Sequence, residues 1–195
     1  YGSALSAVVT HARALHQGLR HGGVSGVLKH IPGHGRATLD SHLDLPRVLV
    51  KRGSLEQYDF EAFRQLNTIE MGMTAHLVFE DIDPNHPATH SVEMIEIIRN
   101  HIKFDGLLMT DDISMEALSG PLDLRAQRAL SAGCDIILHC NGQMNQMQHL
   151  ADNANGLSEA SQLRVAQVLA QRPDVQPVDI QQMKAEFETV LSEFR

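Results

Sequence analysis

The fold is best predicted from one stretch of sequence, Lys29-His30-Ile31-Pro32-Gly33-His34-Gly35, which Asp40-Ser41-His42 follows shortly after. A short apolar run at 24–28 comes directly before this cluster of glycine, proline and ionisable residues. That order predicts a buried strand that ends in a rigid polar loop. Asp40 and His42 are two residues apart, so in extended backbone their side chains share one side, where the carboxylate can orient the imidazole for acid/base chemistry near neutral pH.

Polar residues follow the apolar runs elsewhere in the chain as well. Three further runs, at 73–79, 106–110 and 134–140, read as buried strands. The polar residues at the four strand ends are Lys29-His30, His76, Asp111-Asp112 and His139 to Asn141. In a (β/α)8 barrel the carboxyl ends of the strands form the active-site face, so we expect these side chains to share one face.

Helical patterns lie before and between the predicted strands. Apolar residues at helical spacing predict helices over 3–20, 54–66, 91–102 and 122–132, and a helical remainder after the fourth strand. Alternating strands and helices indicate a parallel sheet built from βα units. A doubly wound open sheet gives the same alternation, but the chain lacks the glycine-rich fingerprints of nucleotide-binding sheets. We therefore predict a (β/α)8 TIM-barrel type of α/β fold.

The number of strands predicts only part of a barrel. Four strands are visible, whereas a complete barrel has eight and usually about 250 residues. We therefore expect residues 1–195 to form the C-terminal half of a barrel, and the absence of an initial Met indicates a piece of a longer protein or a processing product. Such a half would leave two sheet edges unpaired, so we expect it to associate with a second copy or with the missing N-terminal half.

Composition excludes several classes of partner. The 195 residues are 43% hydrophobic, enough for a good core, and the net charge is −8 without any long run of Lys or Arg. These values argue against nucleic acid or an anionic membrane surface as partner. Cys134 and Cys140 flank a predicted strand and lie too far apart to be bridged, which favours a reducing compartment. With no secretory leader and no apolar run near 18 residues, we expect a cytoplasmic protein.

Two motifs resemble a known enzyme family. Residues 29–35 with Asp40-Ser41-His42 resemble the signature of the bacterial β-N-acetylglucosaminidases of glycoside hydrolase family 3, which usually have Phe at the position of Ile31. The run Thr110-Asp111-Asp112-Ile113-Ser114-Met115 resembles the same family's strand ending in Ser/Thr-Asp-Asp-Leu-Ser-Met. Thr110 for Ser and Ile113 for Leu are mild changes that leave both carboxylates in place.

The resemblance implies a role for each motif residue. A retaining glycosidase needs a carboxylate nucleophile and a group that protonates the leaving oxygen. The family pattern assigns the nucleophile to Asp111, the acid/base to His42 with Asp40 as its partner, and hydrogen bonds to sugar hydroxyls to Lys29 and His30. It implies a β-N-acetylhexosaminidase without cofactor that removes terminal N-acetylglucosamine from cytoplasmic muropeptides in peptidoglycan recycling. The family's sugar-gripping Asp and Arg residues from earlier strands have no counterpart here.

Three alternatives stay open at this point. Asp111 or Asp112 could cap the helix that follows. A non-catalytic sugar-binding half-domain would bind ligand without turnover. The chain, with 12 His and 24 acidic residues, could also bind a metal ion, although no spacing matches a known zinc motif. The histidines that could converge on one face for this purpose are His30, His34, His42, His76 and His139.

Overall fold

The architecture comes from a computed structural model, which describes residues 2–37 and 45–193. Its main sheet is four-stranded, parallel throughout and ordered β1-β3-β5-β6, while β2 and β4 form a small second parallel pair. In chain order the strands of the described residues are β1 (Val27–Ile31), β2 (Arg47–Val48), β3 (Met71–Thr74), β4 (Val78–Phe79), β5 (Leu107–Asp112) and β6 (Ile136–Leu138).

The strand order distinguishes the two candidate folds. Each strand of the main sheet lies beside the next main-sheet strand along the chain, and the order never reverses within the described residues. A doubly wound sheet reverses its order at a switch point, whereas a (β/α)8 barrel adds its strands in sequence. The observed order therefore confirms the predicted barrel type of α/β fold.

Helices connect and follow the strands. Two π-helical turns extend the short helices, Leu55–Asp59 between α2 and α3 and Ile97–His101 after α4, and Ala88–His90 forms a 3-10 turn. The α-helices of the described residues are α1 (Leu5–His21), α2 (Arg52–Ser54), α3 (Phe60–Arg64), α4 (Val92–Glu96), α5 (Leu122–Ala132), α6 (Met144–Asn153), α7 (Glu159–Ala170) and α8 (Ile180–Ser192).

Two predicted strands, the first and the third, end later in the structure than the sequence predicted. The first strand was predicted at 24–28, but β1 includes Lys29-His30. The third was predicted at 106–110, but β5 includes Asp111-Asp112. Apolar content marks only the buried part of a strand, whereas main-chain pairing continues into its polar end. The chemically interesting side chains therefore lie on strands, which hold them more rigidly than a loop would.

Two other predicted elements are divided in the structure. The predicted strand at 73–79 separates into β3 and β4 because the main chain leaves the main sheet, and the Leu77 carbonyl accepts a hydrogen bond from Ala88 N at 2.8 Å. The helical remainder consists of α6, α7 and α8. Pro173 and Pro177 lie between the last two, where their missing N–H groups do not support a continuous helix.

The core lies between the main sheet and the helices packed on it. Ile31, Leu108 and Phe104 are fully buried there. Gly72, in β3, has no room for a side chain, since a Cβ atom would lie 2.7 Å from Ile31 Cδ1 and 2.8 Å from Phe104 Cζ. This close approach sets the spacing between β3, its neighbour β1 and the segment that leads into β5.

The periphery is less complete than the core. Within the described residues β1 and β6 each pair on one side only, so the sheet has two open edges. Helix α8 has no buried residue, and its apolar side chains Ile180, Met183 and Phe187 are more than half exposed. No helix in the part of the chain that the structure describes is both long and apolar enough to span a membrane.

Candidate active site

The carboxyl ends of β1 and β5 bring His30 and Asp111 together. These strands are not neighbours, since β3 lies between them, but His30 Nε2 lies 3.2 Å from Asp111 Oδ2. The His30 side chain is 25% exposed and that of Asp111 is 20% exposed. The pair is thus partly shielded from water yet open to a ligand at the strand ends.

The environment of Asp111 keeps its carboxyl group ionised. Burial raises its pKa, but the hydrogen bonds from His30 and from the main-chain N–H of Asp112 lower it further, to about 2. The Asp112 bond joins its N to Asp111 Oδ1 at 2.9 Å. A carboxylate that attacks an electrophilic carbon must be unprotonated, and Asp111 meets this condition at any physiological pH.

Asp112 has a different set of contacts from its neighbour. Its carboxylate accepts hydrogen bonds from Ser114 N at 3.0 Å, Ser114 Oγ at 2.7 Å and Cys140 N at 3.1 Å. These bonds tie the end of β5 to the following turn and to the end of β6. The helix-cap alternative for Asp111 and Asp112 was wrong, because α5 begins only at Leu122 and Pro121 occupies its cap position.

Lys29 and His30 line one cavity of about 510 Å³ at the end of β1. His34, Arg36 and Tyr58 are also part of its wall. The His30 and His34 rings have centroids 5.5 Å apart. A cavity walled by these donors suits a hydroxyl-rich ligand, and His30 also contacts Asp111, so the predicted sugar-binding pair lies next to the carboxylate.

The contacts described so far do not include the predicted acid/base residues. Asp40 and His42 fall outside the described residues, so their roles stay predictions. Just before residue 37, where the first described range ends, Arg36 Nε donates to Asp59 Oδ2 at 2.8 Å. This ion pair attaches the chain before the Asp-Ser-His segment to the residues just before α3.

His76 does not face the ligand side, contrary to its prediction as a strand-end site residue. It is 1% exposed, its Nδ1 lies 2.7 Å from Thr89 Oγ1, and its Nε2 lies 3.1 Å from the main-chain oxygen of Asp112. Burial lowers its pKa. Thr89 was missed by the sequence reasoning, and no motif in its surroundings signals its contact with His76.

The histidines do not assemble a metal site in the described residues. His139 bonds through Nε2 to Gln146 Oε1 at 3.0 Å, and Asn141 contacts the same oxygen, so the end of β6 is attached to α6. Residues 2–37 and 45–193 contain no group of three or more His, Cys, Asp or Glu side chains able to hold a metal ion. The metal-binding alternative therefore has no support from these parts of the chain.

Comparison with known proteins decides the family. Residues 1–171 match the model of the glycosyl hydrolase family 3 N terminal domain. The chain belongs to glycosyl hydrolase family 3. It is 44% identical over 140 residues to a β-hexosaminidase of Alkalilimnicola ehrlichii, covering 69% of this chain and 40% of that protein. It is 32% identical over 164 residues to a β-hexosaminidase of Haemophilus ducreyi, covering 81% of this chain and 46% of that one.

Solved structures of family 3 members share the fold. A β-N-acetylglucosaminidase from Paenibacillus sp. str. FPU-7 superposes with a TM-score of 0.77 at 27% identity, over 92% of this chain and 38% of that one. NagZ from Neisseria gonorrhoeae in complex with N-trifluoroacetyl-D-glucosamine gives 0.75 at 32% identity, over 88% and 49%. The fold is thus the TIM-barrel type of this family. The chain spans less than half the length of each of these four relatives.

Proposed function

We propose that this chain carries the nucleophile side of a retaining β-N-acetylhexosaminidase, with Asp111 as the attacking carboxylate. The observation that carries the proposal is the difference between the two adjacent acidic residues. Asp112 is engaged by main-chain and hydroxyl donors, whereas Asp111 pairs with His30 and has its pKa lowered to about 2. One carboxylate is committed to structure, and the other is ionised at the strand ends, where a barrel enzyme reacts.

The proposed reaction has two steps with balanced proton transfers. An Asp111 oxygen attacks the anomeric carbon while the glycosidic C–O bond breaks, and the protonated imidazole of His42 gives its proton to the departing oxygen. The neutral imidazole then takes a proton from water, whose oxygen attacks the same carbon and releases Asp111. Asp40 orients the ring of His42. Lys29 and His30 hydrogen-bond the sugar hydroxyls beside Asp111.

The proposed substrate is a muropeptide with a terminal N-acetylglucosamine, cleaved in the cytoplasm during peptidoglycan recycling. Two kinds of support exist for the sugar. Curated relatives carry the name β-hexosaminidase, and one structural neighbour was solved with N-trifluoroacetyl-D-glucosamine. The cavity donors Lys29 and His30 suit an uncharged, hydroxyl-rich ligand. No part of the proposed reaction needs a cofactor.

We further propose that residues 1–195 form the C-terminal half of the catalytic barrel. The open edges at β1 and β6 would pair with the remaining strands, and the matched relatives are more than twice as long as the matched region. A second copy of the chain could cover the same edges. In either case the unpaired N–H and C=O groups and the apolar edge surface would find partners.

The stereochemistry of the first product tests the proposed function. With the chain joined to the rest of its barrel, proton NMR of a freshly started hydrolysis of an aryl N-acetyl-β-glucosaminide distinguishes the two anomers before they equilibrate. Two displacements at one carbon retain its configuration, so we expect the β anomer first. Initial release of the α anomer would exclude a covalent Asp111 intermediate. Binding of N-acetylglucosamine without any turnover would instead support the non-catalytic sugar-binding alternative.

A further inference from the structure

A buried chain of polar side chains adjoins Asp111 and is not used by the proposed reaction. The hydroxyl oxygens of Thr74, in β3, and Thr89 lie 2.9 Å apart. Thr89 Oγ1 lies 2.7 Å from His76 Nδ1, and His76 Nε2 lies 3.1 Å from the carbonyl oxygen of Asp112. Thr74, Thr89 and His76 are at most 1% exposed. Water cannot satisfy these groups, so they bond to one another and to nearby main-chain oxygens.

The contacts fix where the protons lie. The Asp112 carbonyl can only accept, so His76 Nε2 carries a hydrogen. Burial lowers the pKa of His76, so the ring is neutral and its Nδ1 is an acceptor. Thr89 has one hydroxyl proton and two acceptors, Ala75 O at 3.2 Å and His76 Nδ1 at 2.7 Å; it donates across the shorter contact, because the unprotonated Nδ1 has no hydrogen to give. Thr74 then donates to Thr89, and every donor in the chain points toward the Asp112 carbonyl.

All the polar groups of Asp112 are held by neighbours. Its carboxylate is bound by Ser114 and by Cys140 N. Its carbonyl accepts from His76 Nε2 and from Met115 N, each at 3.1 Å. Its N–H donates to Asp111 Oδ1. The last bond is one of the two hydrogen bonds that orient the Asp111 carboxylate. Any rotation of the Asp112 main chain would therefore move that carboxylate.

We propose that His76 is a positioning residue for Asp111, acting through the Asp112 main chain. Met115 N–H, within the following turn, and the imidazole, from outside it, both hold the Asp112 carbonyl, and the imidazole thereby helps to keep the Asp112 N–H aimed at the Asp111 carboxylate. Thr89 and Thr74 set the ring tautomer that allows His76 to donate. The proposal rests on the proposed function in one respect, namely that Asp111 is the group that reacts.

Two substitutions of one residue separate positioning from general packing. In His76→Gln the amide nitrogen can occupy the place of Nε2 and still donate to Asp112. In His76→Asn the amide is too short to reach it. His90→Gln is the matched control, because His90 lies in the same 3-10 turn as Thr89, is also partly buried, and stands outside the chain of contacts.

The first readout needs no turnover. Amide hydrogen exchange measured by NMR should show the Asp112 N–H exchanging about tenfold faster in His76→Asn, with His76→Gln and His90→Gln close to the parent protein. The amide of Leu108, in the buried part of β5, reports global opening and should exchange equally in all variants that fold equally well. Nitrogen-15 shifts of the His76 ring in the parent should show a hydrogen on Nε2 and none on Nδ1.

The second readout is kinetic. In the chain joined to the rest of its barrel, with an aryl N-acetyl-β-glucosaminide as substrate, His76→Asn should lower kcat at least about tenfold with KM within about twofold, and His76→Gln should recover most of the loss. A hydrogen on Nδ1, unchanged Asp112 exchange in His76→Asn, equal behaviour of Asn and Gln variants, or altered exchange with unchanged kcat would each overturn the proposal. If the parent chain shows no turnover even when it is joined to the rest of its barrel, the proposed function fails, while the exchange data alone still decide whether His76 holds Asp112.

Discussion

The imidazole of His30 and the carboxylate of Asp111 meet at 3.2 Å although their strands, β1 and β5, are separated by β3. Both side chains belong to the carboxyl ends of parallel strands in one sheet, and in a (β/α)8 barrel these ends form a common face. The strand part of the first motif, at Lys29-His30, thus meets the second motif at Asp111.

The first consequence concerns the leaving group. If His42 is the acid/base, His42→Ala should reduce hydrolysis of substrates with poor leaving groups by about 10²-fold or more, while activated nitrophenyl glycosides lose much less because they need no protonation. Steady-state kinetics on a series of aryl glycosides gives this comparison. Equal losses across the series would remove His42 from the role.

Asp40 supplies a matched test of the same step. Asp40→Ala should act by mis-orienting the imidazole. The loss of transition-state stabilisation in the double variant Asp40→Ala/His42→Ala should therefore be smaller than the sum of the losses in the two single variants. The double variant, measured on the same poor-leaving-group substrate, gives the coupling. Full additivity would mean that the two residues act separately.

The second consequence is a dependence of stability on pH. The pKa of Asp111 is lowered from 3.8 to about 2 in the folded protein, because the donors His30 and Asp112 N–H outweigh burial. A depressed folded pKa stabilises the protein above the unfolded value, and the contribution of about 2 kcal/mol disappears as pH falls from about 4 to about 2. Asp111→Asn lacks this contribution, so its free energy of unfolding should fall less steeply over that window.

Urea unfolding at a series of pH values measures the difference. Other carboxylates titrate in the same range, so the informative quantity is the parent minus Asp111→Asn at each pH. That difference should shrink as acid is added. A difference independent of pH would mean that Asp111 is not held in its ionised form.

The third prediction concerns a buried ion cluster away from the site. Asp135, 3% exposed, accepts hydrogen bonds from Arg99 at 2.7 Å, Arg164 at 3.0 Å, Ser161 Oγ at 2.8 Å and Leu108 N at 2.8 Å. Asp135→Ala leaves Arg99 without its buried carboxylate partner and the Leu108 N–H unsatisfied. We expect a loss of about 3–5 kcal/mol in the free energy of unfolding.

A neighbouring carboxylate provides the control for that experiment. Asp105 also pairs with Arg164, at 3.2 Å, but its side chain is 89% exposed. Asp105→Ala should therefore cost less than about 1 kcal/mol. Comparable losses from Asp105→Ala and Asp135→Ala in chemical denaturation would show that burial does not decide the strength of these pairs.

The sequence predicted the repeating features of this fold well. Helix α5 has the predicted bounds of 122–132 because its apolar spacing is regular and Gly133, with φ of 113°, ends it in the left-handed conformation. The four strands of the main sheet and their parallel order also follow from local patterns, whereas the short pair of β2 and β4 was not predicted. Boundaries such as the start of β1 depend on main-chain pairing with a distant strand, which no local window contains.

The candidate site was predictable only in part. Asp111, Lys29 and His30 carry motif signals, and the structure brings them to the end of the sheet. The inward direction of His76 depends on Thr89, 13 residues away along the chain, and on a main-chain carbonyl 36 residues away. Polar residues at strand ends look alike in a sequence, whether they face a ligand or the core.

The fourth prediction concerns association. Because β1 and β6 leave two edges open, the 195-residue chain alone should pair with a second copy or with the rest of the barrel. Light scattering coupled to size exclusion should give a mass larger than that of one chain, with little hydrolase activity. A stable, fully active monomer of this length would contradict the half-barrel proposal.

The site of covalent attachment tests most directly whether Asp111 is the nucleophile. A 5-fluoro N-acetylglucosaminyl fluoride slows both chemical steps while its good leaving group allows the first, so the glycosyl-enzyme should accumulate. We expect intact mass to increase by one sugar and peptide mapping to place that sugar on Asp111, with Asp111→Ala folded but unlabelled. Labelling of Asp112, or equal labelling of Asp111→Ala, would contradict the account.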